Sequence, residues 1–191
     1  MYQNFFKRIF DIILCVFLIV ILSPLMVIIF IFIWYYIGTP IFYQKRPGLY
    51  NKTFVIYKFK TLYDSSEKNK ESLRQNKIGD FLRKTGLDEL PQLFNILKNE
   101  MSFVGPRPLL IEYLEKYSDY EKKRHLAKPG ITGLAQVTSN SSGRKSWVKS
   151  IRLDIFYVNH VSFLLDMFIL CKTAKILILG KKQFQDFEKS L

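Results

Sequence analysis

Asp88 and Glu89 are adjacent carboxylates in the stretch TGLDELPQLFN, residues 85–95. They stand just before a helical pattern of Leu90, Leu93, Phe94 and Leu97, with Pro91 in its first turn, where proline is tolerated. Two roles fit that position. Asp88 stands where a helix wants an N-cap, and Glu89 would complement the helix dipole. The same backbone donors favour a phosphate and hold a carboxylate ionised, and an ionised carboxylate can attack phosphorus to give an acyl phosphate. Its neighbour would then hold a divalent metal or handle protons.

Phosphate chemistry needs cations, and several are near in sequence. Arg107 is bracketed by Pro106 and Pro108, each of which fixes its own φ and restricts the residue before it. The result is a stiff loop presenting a guanidinium fork suited to two phosphate oxygens. Lys58, Lys60 and Arg83 add positive charge, although each by itself reads equally well as a surface residue. Gly130 and Gly133 would let backbone approach a ligand closely, or simply make a turn. Cys15, Cys171, His125 and His160 lie apart, with no metal-ligand spacing among them.

These residues need a scaffold, and its first part is apolar. Ile12 to Ile37 is 26 residues without a charge, longer than the ~20 a helix needs to cross the hydrocarbon core. The run is too long for a signal peptide, and no small-residue cleavage site follows it. Ser23 and Pro24 interrupt it near the middle, where proline removes a backbone donor and bends a helix. A kinked span and a re-entrant helix that turns back at Ser23-Pro24 both fit. Lys7 and Arg8 precede the run, and Lys45, Arg46, Lys52, Lys58 and Lys60 follow it. Such symmetric charge favours two ends on one face of the membrane.

Beyond it, IFYQKRPGLYNKTFVIYKFKT reads as a β-hairpin turning near Pro47, Gly48 and Asn51. Residues 64–80 are polar and charged, an exposed loop or solvated helix. The proline- and glycine-rich segments VGPRP (104–108) and KPGITG (128–133) flank a charged helical stretch, IEYLEKYSDYEKKRHL. VSFLLDMFILCKTAKILILGKK is apolar but interrupted by Asp166, Lys172 and Lys175, so it suits a helix in the headgroup boundary or a packed core helix.

The chain is 191 residues long and carries 29 Lys and Arg against 16 Asp and Glu, a net +13, with 49% apolar residues. A protein this basic and this greasy suits an anionic membrane surface, an anionic substrate, or both. The alternative is a non-catalytic membrane-anchored scaffold binding anionic lipid or nucleic acid. That reading explains the charge but gives Asp88, Glu89 and Arg107 no task. A transporter subunit would need more spanning helices than one apolar run supplies.

Four segments taken in order, KFKT (58–61), LDELPQLFNILKNEMSFVGPRP (87–108), RHLAKPGITGLAQV (124–137) and LDIFYVNHVSFLLD (153–166), resemble the bacterial sugar transferase family, the monotopic phosphoglycosyl transferases, and its small single-domain members most. The likeness runs from Lys7 to about Gly180. It implies an enzyme that moves a phospho-sugar from a UDP-sugar to polyprenol phosphate, releasing UMP, in two ping-pong steps with Asp88 as the nucleophile. It further implies Glu89 as the second acid, Mg2+ at the Asp88-Glu89 pair with the acid that contacts it directly left open, and phosphate binding by Arg107, Arg83, Lys58 and Lys60. Ser23 and Pro24 become the break of a re-entrant helix, with the active site on the cytoplasmic face of the bacterial inner membrane.

The expected fold class is α+β, mainly helical. Residues 1–40 form the re-entrant helix-break-helix, 41–182 the catalytic domain with its hairpin and interfacial helices, and 183–191 a tail. UDP-sugar, polyprenol phosphate and inner-membrane lipid are the expected partners; no nucleic acid is expected, and a homodimer is left open. The chain departs from the family pattern at Lys60 and Leu62, where Arg and Met are commoner, and at Gly86, where Ser is frequent. Lysine keeps the charge at position 60 but loses the fork. The stretch 139–147 looks shorter than in relatives, so the sugar is not carried over. An N-acetylated UDP-sugar such as a diacetylbacillosamine is expected by likeness, with N-acetylgalactosamine, galactose or glucose derivatives as alternatives.

Overall fold

A computed structural model describes residues 2–62, 77–138 and 144–179. The expected tail at 183–191, most of the polar stretch 64–80 and residues 139–143 lie outside the described residues.

The apolar run forms one helix, α1 (Lys7–Ile37), with Pro24 inside it. The helix continues through the expected break, and Ser23 Oγ bonds back to Val20 O at 2.9 Å. Any change of direction at Ser23-Pro24 is therefore a bend within a continuous helix. Most of its large side chains, among them Ile13, Phe17, Val20, Ile28 and Trp34, are exposed. An aliphatic surface of this extent is stable only against lipid or another apolar partner.

Both ends of α1 are fastened to the rest of the chain. At the first, Lys7 Nζ meets Asp166 Oδ2 at 2.6 Å, and the buried Asp11 Oδ1 accepts from Ser102 Oγ and the Phe103 amide. Cys15 is buried with its Sγ on Leu93 O. Further along, Ile29 and Ile33 pack with Phe59 and Leu82.

The hairpin falls where the sequence places it. β1 (Ile41–Pro47) pairs antiparallel with β2 (Thr53–Phe59), Arg46 opposite Phe54 and Phe42 opposite Lys58. Strand alternation therefore puts Arg46 and Lys58 on one face. α2 (Lys77–Thr85) follows, then the turn Leu87–Glu89 and the short α3 (Gln92–Leu97). Asn95 is fully buried and joins α3 to β2: its Oδ1 accepts from the Tyr57 amide, and its Nδ2 donates to Val55 O and Glu100 Oε2.

Two proline-glycine loops close on each other. β3 (Ser102–Val104) and β4 (Gly130–Thr132) form a short parallel pair, extended by Gly105 N to Thr132 O and Gly130 N to Pro106 O. A Cβ on Gly130 would lie 2.1 Å from the Gly105 nitrogen. Gly130 and Gly133 thus admit the 104–108 loop, and in doing so they fix the loop that carries Arg107.

The charged stretch after that loop is less regular than its pattern suggests. It divides into a 3-10 segment, Ile111–Lys116, then α4 (Asp119–Lys122), capped reciprocally by Ser118 and Glu121, and a second 3-10 segment, Lys123–Leu126. α5 (Leu134–Thr138), α6 (Arg144–Asn159) and α7 (Phe163–Leu179) complete the described fold, which is mainly helical. α7 buries Asp166 and Ile169 and exposes Phe163, Leu164, Phe168 and Ile178. The main core gathers Cys15 of α1, Phe54 and Ile56 of β2, Leu93 and Ile96 of α3, and Tyr157 and Ile169 behind them.

Candidate active site

α2 ends at Gly86, whose φ of +71° is left-handed and therefore suits glycine over serine. The chain reverses there and enters the turn Leu87–Glu89. Asp88 is buried in that turn, yet it caps nothing: neither the turn nor α3 has a side-chain cap, and Pro91 sits at the α3 start. The capping role expected of Asp88 is thus corrected. Pro91 after the turn keeps it separate from α3, and Asp88 is left to face a cavity.

That cavity, about 420 Å³, is lined by Asp88 together with Lys58, Lys60 and Arg83, and by Arg46. A second one, about 60 Å³, has Glu89 and Arg107 in its wall and shares Lys58 and Arg46 with the first. The residues singled out from sequence therefore converge on two adjoining spaces. Ser23 and Pro24 line neither.

The two acids differ in charge state. Burial, reinforced by the neighbouring Glu89, pushes Asp88 up to about 6, against the opposing pull of Lys58, Arg107 and its own amide. Burial would raise Glu89 too, but Arg107 and Lys58 outweigh it and hold that carboxyl below its usual range. Lys58 Nζ sits 2.5 Å and Arg107 Nη2 3.2 Å from the same atom, Glu89 Oε1. A helix start that simply keeps Asp88 ionised is not what the protein builds. It places an easily protonated acid beside a firmly ionised one.

The remaining cations are held in different ways. Arg83 pairs with Asp80 at 2.5 Å and donates to Thr61 Oγ1, tying α2 to the end of β2. Lys60 Nζ donates to Thr39 Oγ1 at 2.5 Å. Arg46, which the sequence presents as one of the basic residues flanking the membrane segment, turns inward. Among the described residues its guanidinium meets only neutral acceptors, Pro108 O and Gln44 Oε1, and its buried Nε has no partner. Burial, and then Arg107, lowers its pKa. A desolvated cation without a counter-charge is suited to an anion. The signal that would have found it is the hairpin register that aligns it with Lys58.

Behind the site, Arg124 is buried and holds Asp154 Oδ2 through Nε and Nη2, at 3.1 and 2.6 Å. Its Nη1 donates to Tyr117 and its Nη2 to the carbonyl of Arg107 at 2.7 Å. These residues lie in the motifs at 124–137 and 153–166, but spacing alone gave them no role. They fix the backbone of the Arg107 loop.

Among the described residues no cluster of three or more His, Cys, Asp or Glu is placed to hold a metal ion. Magnesium rarely needs one: it binds through one or two carboxylates plus substrate phosphates and waters. Asp88 and Glu89 supply two such groups. Both cations fall on Glu89 Oε1, so Oε2 accepts no hydrogen bond from the described residues. The donor set fits Mg2+ bound together with a diphosphate.

The family model for the bacterial sugar transferases matches residues 2–180, and the chain belongs to that family. It is 41% identical over 180 residues to the uncharacterized sugar transferase EpsL of Bacillus subtilis (strain 168), covering 92% of this chain and 88% of that one. It is 38% identical to the undecaprenyl-phosphate galactose phosphotransferase of Salmonella typhimurium, and 34% identical to the UDP-N-acetylgalactosamine-undecaprenyl-phosphate N-acetylgalactosaminephosphotransferase of Aeromonas hydrophila. Each of these two matches covers 92% of this chain but only 41% and 44% of the respective relative.

Proposed function

We propose that the protein transfers a phospho-sugar from a UDP-sugar to a polyprenol phosphate such as undecaprenyl phosphate, with Asp88 as the covalent nucleophile. The observation that carries this reading is Asp88 buried in the wall of a cavity whose other charged residues, among those described, are the cations Lys58, Lys60, Arg83 and Arg46. The relatives named for undecaprenyl-phosphate sugar-phosphate transfer support the same reaction. Their names differ in the sugar, so the sugar of this chain is a matter for assay.

In the first step an Asp88 carboxylate oxygen attacks the sugar-bearing phosphorus. The bond from that phosphorus to the bridging oxygen breaks, UMP leaves with the electron pair, and an acyl phosphate joining Asp88 to the phosphosugar remains. Lys58 and Arg107, held on Glu89, and Arg46 stand where the negative charge of the diphosphate would lie. In the second step an oxygen of polyprenol phosphate attacks the same phosphorus and expels the Asp88 carboxylate, giving the polyprenol diphosphate sugar. A two-step route lets a water-soluble donor and a lipid acceptor use one centre in turn. Mg2+ held by Asp88, Glu89 and the diphosphate would neutralise phosphate charge.

The placement proposed is monotopic, on the cytoplasmic face of the inner membrane, and α1 supports its monotopic part. A 31-residue helix is ~46 Å long, and a span would carry its far half away from the catalytic body. Instead Cys15 and Ile33, near opposite ends, are both buried against that body. A bend at Pro24 would return the chain to the same face, and the exposed apolar side of α7 would lie in the interface.

Purified protein in nanodiscs should release UMP over many turnovers from at least one member of a UDP-sugar panel, only with Mg2+ and polyprenol phosphate present. Asp88→Asn should abolish that release. Ordinary turnover by the variant would remove Asp88 from the mechanism.

A further inference from the structure

A cavity of about 550 Å³ lies beside the Asp88 site and does not include Asp88 in its wall. It is an apolar groove between the second half of α1, the hairpin and α3, walled by Met26, Val27 and Phe30 on α1, Tyr43 and Phe59 on the hairpin, and Phe94 on α3. Its volume lies within the range of about 300–1,000 Å³ typical of small-molecule sites. Tyr43 and Phe59 also line the Asp88 cavity, so the apolar groove and the cationic cavity adjoin across one wall of the hairpin.

The two spaces have complementary chemistry. One gathers cations around a nucleophile; the other is almost wholly hydrocarbon and aromatic, and its α1 wall begins two residues after Pro24. Val27, Phe30 and Phe94 remain exposed to whatever surrounds α1. A ligand that fills both must carry a phosphate at one end and a hydrocarbon chain at the other. Burying that chain is favourable at roughly 25 cal/mol per Å² of apolar surface.

We propose that this groove holds the phosphate-proximal isoprene units of the lipid acceptor and so delivers its phosphate to Asp88. The proposal rests on the transferase reading above and adds where the acceptor chain lies. Ordinary phospholipid would bring a phosphodiester, which lacks the monoester oxygens needed for the second step. The aromatic walls suit a branched, unsaturated chain, and the groove makes the acceptor's first units, not its distal end, the part the protein recognises.

The test compares Val27→Trp, which fills the groove, with Ile28→Trp, an equally exposed neighbour on α1 outside it. In nanodiscs Val27→Trp should raise the KM for polyprenol phosphate about tenfold, and Ile28→Trp should leave it within about twofold. Equal effects of the two, or none, would overturn the groove. A polyprenyl phosphate bearing a photoreactive group on its first isoprene unit gives a second measurement in the unmodified protein. Labelling of Val27, Phe30 or Phe94, competed by unlabelled polyprenol phosphate, supports the assignment. Labelling confined to the first half of α1, or competed equally by phosphatidylglycerol, overturns it. UMP release without acceptor separates the two claims. If the unmodified protein gives no burst with any UDP-sugar, the transferase reading falls and the groove with it; a burst beside groove-independent acceptor kinetics overturns the groove alone.

Discussion

Two clusters of acid and base lie on either side of the 104–108 loop, and they are built in opposite ways. Arg124 and Asp154 are both buried; the guanidinium uses all three nitrogens, and its partners are a carboxylate, a phenol and a carbonyl. Across the loop, two cations crowd one oxygen of Glu89, Arg46 has no acid among the described residues, and Asp88 is pushed toward protonation. The first cluster is balanced and the second is not. Balanced charge holds a backbone in place, and unbalanced charge waits for a ligand that brings the missing negative charge. The Arg107 loop joins them, its carbonyl on Arg124 and its guanidinium on Glu89.

Substitutions should separate the two clusters. Asp88→Asn, in the unbalanced one, should cost more than about a thousandfold in turnover without unfolding the protein, as read by UMP release and circular dichroism. Asp154→Leu should do the reverse in kind: removing one partner of a buried pair typically costs about 3–5 kcal/mol, seen as a large drop in thermal midpoint in detergent. Arg124→Met combined with Asp154→Leu should recover much of that loss. If Asp154→Leu were thermally neutral, the balanced cluster would not be what holds the loop. Arg107→Gln should lower kcat/KM by about a hundredfold and barely move the midpoint, because Arg107 is half exposed.

The pH behaviour sharpens the same contrast. Asp88 must be ionised to attack, so the first half-reaction should fall away as pH drops through about 6. Glu89→Gln removes the like charge that raises Asp88 and frees Lys58 and Arg107 from their partner, so whatever activity remains should have its acidic limb at lower pH. A limb that stayed in place would mean that burial alone sets the Asp88 proton affinity. The smallest effect is on stability. An unfolded aspartate titrates near 4, so folding is favoured while Asp88 is protonated, below about 4, and that advantage is lost as pH rises through about 6. At pH 7 Asp88→Asn should therefore stabilise the protein, by on the order of 1–3 kcal/mol. The gain should vanish near pH 4.

The hairpin, the long apolar helix and the meeting of Asp88, Glu89, Lys58 and Arg107 were legible because each rests on a local pattern. The hairpin has β-branched and aromatic runs around a turn, the apolar helix has its length, and the site has short motifs in order. What escaped depends on distance in the chain or on burial. Arg46 looked like a membrane-flanking charge, and only its register opposite Phe54 turns it toward Lys58. Arg124 and Asp154 are thirty positions apart, and nothing local announces their pairing. The packing role of Gly130 has no local signal, because the backbone it approaches belongs to Gly105, in the other loop. Asp88 looked like a cap because its neighbours spell a helix start, and the separate turn at Leu87–Glu89 shows itself only in three dimensions.

The central claim is that Asp88 carries the phosphosugar. Mixing the protein with Mg2+ and a UDP-sugar that supports turnover, without polyprenol phosphate, and quenching in acid should add the mass of one phosphosugar to the intact chain. Peptide mapping should place it on Asp88, and Asp88→Asn should gain nothing. UMP released without an adduct, or an adduct of the same mass on Asp88→Asn, would contradict the claim.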